Sequence, residues 1–122
     1  MLTFSEEIMR ELELAYRVVQ VSTGDMGMPK YKQYDIETWM PSRGDYGETH
    51  SASNVTDWQA RRAGMKYKTE DGSKAHVHTL NNTAIASPRM LIAILENYQQ
   101  NDGSIRVPDV LQAYMGKEEI EK

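Results

Sequence analysis

The sequence contains no cysteine, so neither a disulfide framework nor thiolate coordination of zinc can hold it together, and a reducing cytosol is allowed. It contains no apolar run of membrane-spanning length. The amino end, Met1-Leu2-Thr3-Phe4-Ser5-Glu6-Glu7, is acidic and has no basic region ahead of an apolar stretch, which excludes a secretory signal. The chain therefore reads as cytoplasmic. A cationic excess is missing too: 14 Lys and Arg stand against 18 Asp and Glu, a net charge of -4. That balance gives no general attraction to phosphate backbones or anionic membranes, so any RNA contact must be local. Internal repeats and low-complexity linkers are absent. What is present is 122 residues, 39% hydrophobic and 26% charged, enough for one ordinary globular domain with a core.

The turn signals fall at intervals that suit short strands mixed with helices, an α+β chain. Thr3-Phe4-Ser5-Glu6 has capping-box form, and Phe4, Ile8 and Leu12 recur at helical spacing, which predicts an opening helix ending near Leu14. β-branched residues over Tyr16 to Ser22 predict a strand running into the loop Gly24-Asp25-Met26-Gly27, and a second strand covers Tyr34 to Met40. After Pro41 and Gly44, an extended run of small and polar residues spans Gly47 to Ser53. Thr56-Asp57-Trp58-Gln59 again fits a capping box, with Gly64 as the carboxy cap of a short helix. Asp71-Gly72 predicts a hairpin between Met65 to Lys68 and Lys74 to Asn81. Ser87 and Pro88 start a further helix whose body, Met90 to Leu95, is apolar all round and therefore expected to be sandwiched in the core. Asp102-Gly103 is a turn, Ile105 to Val107 a short extended piece, and Pro108 the first position of a last helix before Gly116. The charged tail 117–122 is expected to fray.

Four places carry possible chemistry. Arg89 falls in the first turn of the apolar helix, where positive partial charge and free N–H groups disfavour a cation unless an anion is held nearby. A phosphate would supply that anion; a carboxylate partner or a reach to solvent are the alternatives. Glu48 and Ser51 offer hard oxygens that suit magnesium, which takes its other ligands from phosphate and water. Residues three apart on a strand face opposite sides, so both serve one ligand only if the strand twists or bulges there; a solvated edge carboxylate is the alternative. Asn81-Asn82-Thr83 could read a small polar ligand or form a plain turn. His50, His76 and His78, the last two on one strand face, raise a three-histidine zinc site against structural or solvent-facing histidines. The scattered tyrosines, Tyr67 among them, with Arg61 and Arg62 do not make a nucleic-acid stacking surface.

Taken in order, Tyr16-Arg17-Val18-Val19, Thr23-Gly24-Asp25-Met26-Gly27, Tyr34 to Pro41, Glu48-Thr49-His50-Ser51, Asp57 to Ala63, Thr79 to Arg89 and Ile94 to Gln99 resemble seryl-tRNA synthetases of class II, from about Glu6 to Lys117. The resemblance implies a single unit, 1–122, that is the carboxy-terminal part of the class II antiparallel sheet with flanking helices. Thr79 to Glu96 looks like class II motif three, whose arginine, here Arg89, lies against ATP. Glu48, Thr49, His50 and Ser51 resemble the family's ATP segment, Glu48 and Ser51 holding Mg2+, and Thr83 with Asn81 matches the serine pocket. The implied reaction is serine–tRNA ligation: serine carboxylate attacks the ATP α-phosphorus, and a ribose hydroxyl of tRNA(Ser) then takes the seryl group. Family members add a helical tRNA arm, motif one for homodimerisation and motif two with the α-phosphate arginine. None precedes Met1, so the resemblance implies one wall of the pocket and no charging of tRNA by these residues alone. The rival readings are a non-catalytic, synthetase-derived binding or scaffold domain and a histidine-metal hydrolase.

Overall fold

The computed structural model describes residues 1–122. Four strands form one antiparallel sheet in the order β1-β2-β3-β6: β1 Tyr16–Gln20, β2 Lys32–Met40, β3 Asp45–Asn54 and β6 Leu80–Asn82. Helices α1 Leu2–Glu11 and α3 Ser87–Tyr98 lie on one side. Between β3 and β6 the chain leaves the sheet to make α2 Trp58–Ala63 and the hairpin β4 Lys66–Lys68 with β5 Lys74–His76. Beyond α3, β7 Ile105–Arg106, α4 Asp109–Met115 and β8 Glu119–Ile120 complete the chain. No helix is long and apolar enough to cross a membrane.

The core is set by alternation on β2. Ile36 and Met40 point to the helices and meet Met9, Leu12 and Leu14 from α1 and its exit, and Met90 and Ala93 from α3. Each fully buried aliphatic side chain stabilises by about 1.5–3 kcal/mol before entropy is counted. Polar ties fix the angle of the helices on the sheet. Tyr98 donates its hydroxyl to the Leu12 carbonyl at 2.7 Å, at the otherwise unsatisfied end of α1. Asn97 donates to the Trp39 carbonyl at 3.0 Å.

Several expectations change. The buried stripe of α1 is Ser5, Met9 and Leu12, and Phe4 is exposed. Neither capping box forms. Glu6 instead accepts from Tyr16 and Arg10, Gln59 accepts from Thr79, and the Thr56 N–H is taken by Asn54 Oδ1 at 2.9 Å. Both carboxy caps behave as their glycines require, with left-handed φ of 70° at Gly64 and 65° at Gly116. Helix α3 is not sandwiched: Leu91 and Ile92 are 57% and 51% exposed, because only the Met90/Ala93 face meets the sheet and α1. Pro108 is the residue before α4, not its first. The tail does not fray at 119–120: Ile120 pairs with Ile105 and Glu119 with Arg106. β5 stops at His76, so His78 is off the strand.

Candidate functional site

The pairing of β2 with β3 slips between Ile36 and Glu37. His50 lies opposite Ile36 and Glu48 opposite Glu37, leaving Thr49 as the extra residue of a β-bulge. Partners across a ladder share a face. His50 therefore turns with Ile36 toward the helices, while Glu48, opposite Glu37, and Ser51, opposite Asp35, emerge together on the other side. The bulge meets the condition that a spacing of three imposes on Glu48 and Ser51. It is held by the Thr49 hydroxyl, 2.7 Å from Thr38 Oγ1, 3.2 Å from the Ile36 carbonyl and 3.0 Å from His50 Nδ1.

Thr49 and His50 are 0% and 2% exposed, so their side chains lie beneath the open face. They shape the strand that carries the residues on either side and line the cleft beside Glu48 and Arg89. Burial pushes the His50 imidazole pKa down. His76 and His78 lie on or beyond the separate hairpin, and no group of three His, Cys, Asp or Glu converges anywhere in the chain. The three-histidine zinc reading has no geometry to support it.

The open face continues across the sheet. Gln33, opposite Ser53, donates through Nε2 to Asp35 Oδ1 at 2.7 Å and to Ser51 Oγ at 3.2 Å, while Lys30 donates to its Oε1 at 2.9 Å. Asn81 pairs with Ser53, and the Thr83 N–H bonds to the Ser51 carbonyl at 3.3 Å. At the β1 side Arg17 bridges to Glu37 at 2.6 Å and covers the Tyr46 ring, which meets Trp39 edge-on.

Arg89, the third residue of α3, reaches this face over the edge of β3. Its Nη1 lies 3.0 Å from Glu48 Oε2 and donates to the Glu48 carbonyl at 3.4 Å. The first turn of α3 carries no acid, so Glu48 is the anion that offsets the cation at this helix end. With side chains 53% and 40% exposed, the pair is solvent-screened and cheap to separate. Two clefts share Glu48 and Arg89 as walls. One, of about 360 Å³, is completed by Met40, Arg43, Gly47, Ile92 and Glu96. The other, of about 350 Å³, is completed by Thr49, His50, Ser51, Thr83 and Ala86. Asn81 is not among them: it lines a smaller cleft of about 150 Å³ with Lys32, Tyr34 and Leu80. The structure thus brings Glu48, Ser51, Thr83 and Arg89 together and leaves Asn81 apart.

Arg43 and Glu96 were not anticipated. Glu96 accepts from the Ser42 N–H at 3.0 Å and hydroxyl at 2.8 Å, which hold its carboxyl below the usual range. A Cβ on Gly47 would come within 2.9 Å of Arg43 Nη1, so glycine there admits the guanidinium. The signal for Glu96 lay in helical spacing: 89, 92 and 96 recur at three and four along α3. Glu48 and Ser51 give two hard oxygens on one face, which fits magnesium only where phosphate and water complete the shell.

The chain matches the profile of the tRNA synthetase class II core domain (G, H, P, S and T) over residues 1–98. It is 55% identical over 120 residues to the serine–tRNA ligase of Rubrobacter xylanophilus and 57% identical over 117 residues to that of Thermotoga maritima, covering 98% and 95% of this chain. The chain spans 28% of the length of each of these curated relatives. In three dimensions it superposes on the seryl-tRNA synthetase of Pyrococcus horikoshii complexed with ATP, with a TM-score of 0.92 at 51% identity over 98% of this chain and 27% of that one. It also superposes on the cytoplasmic serine–tRNA ligase of Naegleria fowleri in complex with AMP, with a TM-score of 0.89 at 40% identity, over 99% of this chain and 29% of that one.

Proposed function

The chain belongs to the tRNA synthetase class II core-domain family, and from that premise we propose that it is the carboxy-terminal part of a serine–tRNA ligase catalytic domain. In this reading β6 and α3, within residues 79–96, act as motif three, and the chain contributes one wall of a pocket for ATP and L-serine. The observation that carries the proposal is the bulge at Thr49, which sets Glu48 and Ser51 on one open face beside Arg89 and Thr83. The ATP and AMP complexes of the two superposed synthetases support a nucleotide there.

The chemistry asks these residues for charge and position, not for a strong base. As the serine carboxylate attacks the ATP α-phosphorus and pyrophosphate leaves, negative charge builds on phosphate oxygens, and a fixed guanidinium offsets it. Arg89 supplies that group, exchanging its Glu48 partner for phosphate. Glu48 and Ser51 would hold magnesium, which supplies further neutralisation of the phosphates when bound. Thr83, bonded through its N–H to the Ser51 carbonyl, offers its hydroxyl to the serine substrate, and Asn81, two residues before it and opposite Ser53, supports it from outside that cleft. tRNA(Ser), a helical arm and a homodimer partner belong to the whole protein, which we place in the cytoplasm.

The test is a chimera in which these residues replace the matching stretch of the Thermotoga maritima relative. Serine-dependent exchange of pyrophosphate into ATP is expected from the chimera and not from the 122 residues alone. Glu48→Gln in the chimera is expected to raise the magnesium needed for half-maximal exchange. A folded chimera without exchange favours the non-catalytic, synthetase-derived domain. A Glu48→Gln chimera with wild-type magnesium dependence removes Glu48 from the metal.

A further inference from the structure

The segment 55–79, inserted between β3, which carries Glu48 and Ser51, and β6, which leads into Thr83, has a charge unlike the rest of the molecule. It holds five Lys and Arg against three Asp and Glu, a net +2, which leaves the remaining residues at -6. Its two ends are closed on each other by the Val55 N–H to the Thr79 carbonyl at 3.1 Å and the Thr79 N–H to the Thr56 carbonyl at 2.8 Å. In the hairpin Lys66 faces His76 and Lys68 faces Lys74, so both rungs of one face stack cation against cation or imidazole. Like charges placed directly opposite destabilise a strand pair. Every ion pair in the structure uses an arginine, and none involves Lys66, Lys68 or Lys74, all of which are exposed. The two acids of the hairpin turn, Glu70 and Asp71, form no ion pair with these lysines; Asp71 is held ionised by Thr69 and Ser73, which lower its carboxyl pKa to about 2. A repulsive arrangement whose cations have no ion-pair partner is stabilised when an external polyanion lies across it.

We infer that the Lys66–Lys68–Lys74 face of the β4–β5 hairpin is a docking surface for the phosphate backbone of an RNA duplex. The inference rests on the synthetase reading, because it gives the RNA substrate of that reading a second foothold on the insertion between the site strands. Tyr67 pairs with Ala75 on the opposite face, so the lysine face offers cations without an aromatic platform, which suits backbone contact and not base reading. The lack of apolar side chains on that face also disfavours insertion into a membrane surface.

The test measures binding of the 122-residue chain to a fluorescein-labelled RNA stem–loop with a single-stranded 3′ end, by anisotropy over a range of salt. The wild type is expected to bind with salt-dependent affinity. The triple variant Lys66→Gln/Lys68→Gln/Lys74→Gln is expected to lose about tenfold or more in affinity and to flatten the slope of log K against log salt by about two. The triple lysine-to-arginine variant keeps the charge and should keep the slope, which separates charge from damage to the fold. Equal binding and slope in the glutamine variant overturns the proposal. So does binding by phosphatidylserine vesicles with none to RNA, which identifies a membrane surface instead. In the Thermotoga maritima chimera the glutamine variant should retain wild-type pyrophosphate exchange. RNA binding lost with exchange intact tests the hairpin alone, whereas no exchange in any form counts against the synthetase reading.

Discussion

The two faces of the four-stranded sheet are built from the same strands and have opposite fates. One is covered by α1 and α3 and filled by Ile36, Met40, Met9, Met90 and Ala93, with the polar groups at Thr38, Thr49 and His50 bonded to one another. The other carries Asp35, Glu37, Glu48, Ser51, Asn81 and Thr83, with the buried Gln33 bonded to Asp35 and Ser51 and an exposed ion pair between Glu48 and Arg89. Packing on the first face supplies rigidity; the second holds charged groups whose partners are exchangeable. One residue joins the two. Thr49 sits in the bulge, its side chain belonging to the covered face and its backbone deciding which neighbours reach the open one. Stability and chemistry should therefore separate by face, and mutations ordered by their cost to folding test that separation.

Ile36→Ala should have the largest effect. Ile36 is wholly buried at the centre of the core, and truncation there costs about 2–4 kcal/mol through lost burial and the cavity left behind. For a chain of this size that lowers the melting temperature by about 10 °C or more. Exchange activity per folded chimera molecule should not change, since the Ile36 side chain lies in the core on the covered side. A variant that melts normally, or that is inactive although folded, breaks the division.

Thr49→Val comes next and should cross the boundary. The shape is retained, but Thr38 and His50 lose a buried partner, and His50 Nε2 already has none. The cost is about 1–3 kcal/mol. Because the same hydroxyl holds the bulge to the Ile36 carbonyl, the aim of Glu48 and Ser51 should suffer and exchange should fall as well. A loss of stability with an unchanged rate would show that the bulge keeps its form without the hydroxyl.

Much of this was legible in the chain. β-branched content placed β1, Asp71-Gly72 placed the hairpin, and Gly64 and Gly116 marked their helix ends, because each signal is local and has one conformational solution. The spacing of Glu48 and Ser51 even required a twist or bulge, although nothing local said that Thr49 would be the extra residue. That depends on which residues of β2 lie opposite. Helix α3 misled for a similar reason: an apolar surface states what a helix can bury, not how many neighbours cover it, and Leu91 and Ile92 are open. The capping boxes failed because Glu6 and Gln59 found distant partners in Tyr16 and Thr79, competition that a four-residue motif does not contain. Ser51, Thr83 and Arg89 meet only through the ladder and the approach of α3, so the motifs supplied their identity and the fold their proximity.

Arg89→Ala should have the smallest effect on folding and a large one on chemistry. The Glu48–Arg89 pair is half exposed, so its loss costs under about 1 kcal/mol, and removing a cation from the first turn of α3 returns a few tenths through the helix dipole. The melting temperature should stay near that of the parent, and any difference should shrink at high salt as the pair is screened. In the chimera the same change removes a charge-assisted contact to phosphate worth about 1.5–3 kcal/mol, which is about ten- to a hundred-fold in the adenylation rate. An arginine that serves only to neutralise Glu48 predicts the reverse: stability falls, turnover per folded molecule does not, and Glu48→Gln produces the same melting loss with no further loss in the double variant. Measuring melting and pyrophosphate exchange on Arg89→Ala, Glu48→Gln and their combination distinguishes the cases. A flat rate across all three, with non-additive melting losses, would return Arg89 to the covered face's role of holding the fold and leave the open face without its phosphate contact.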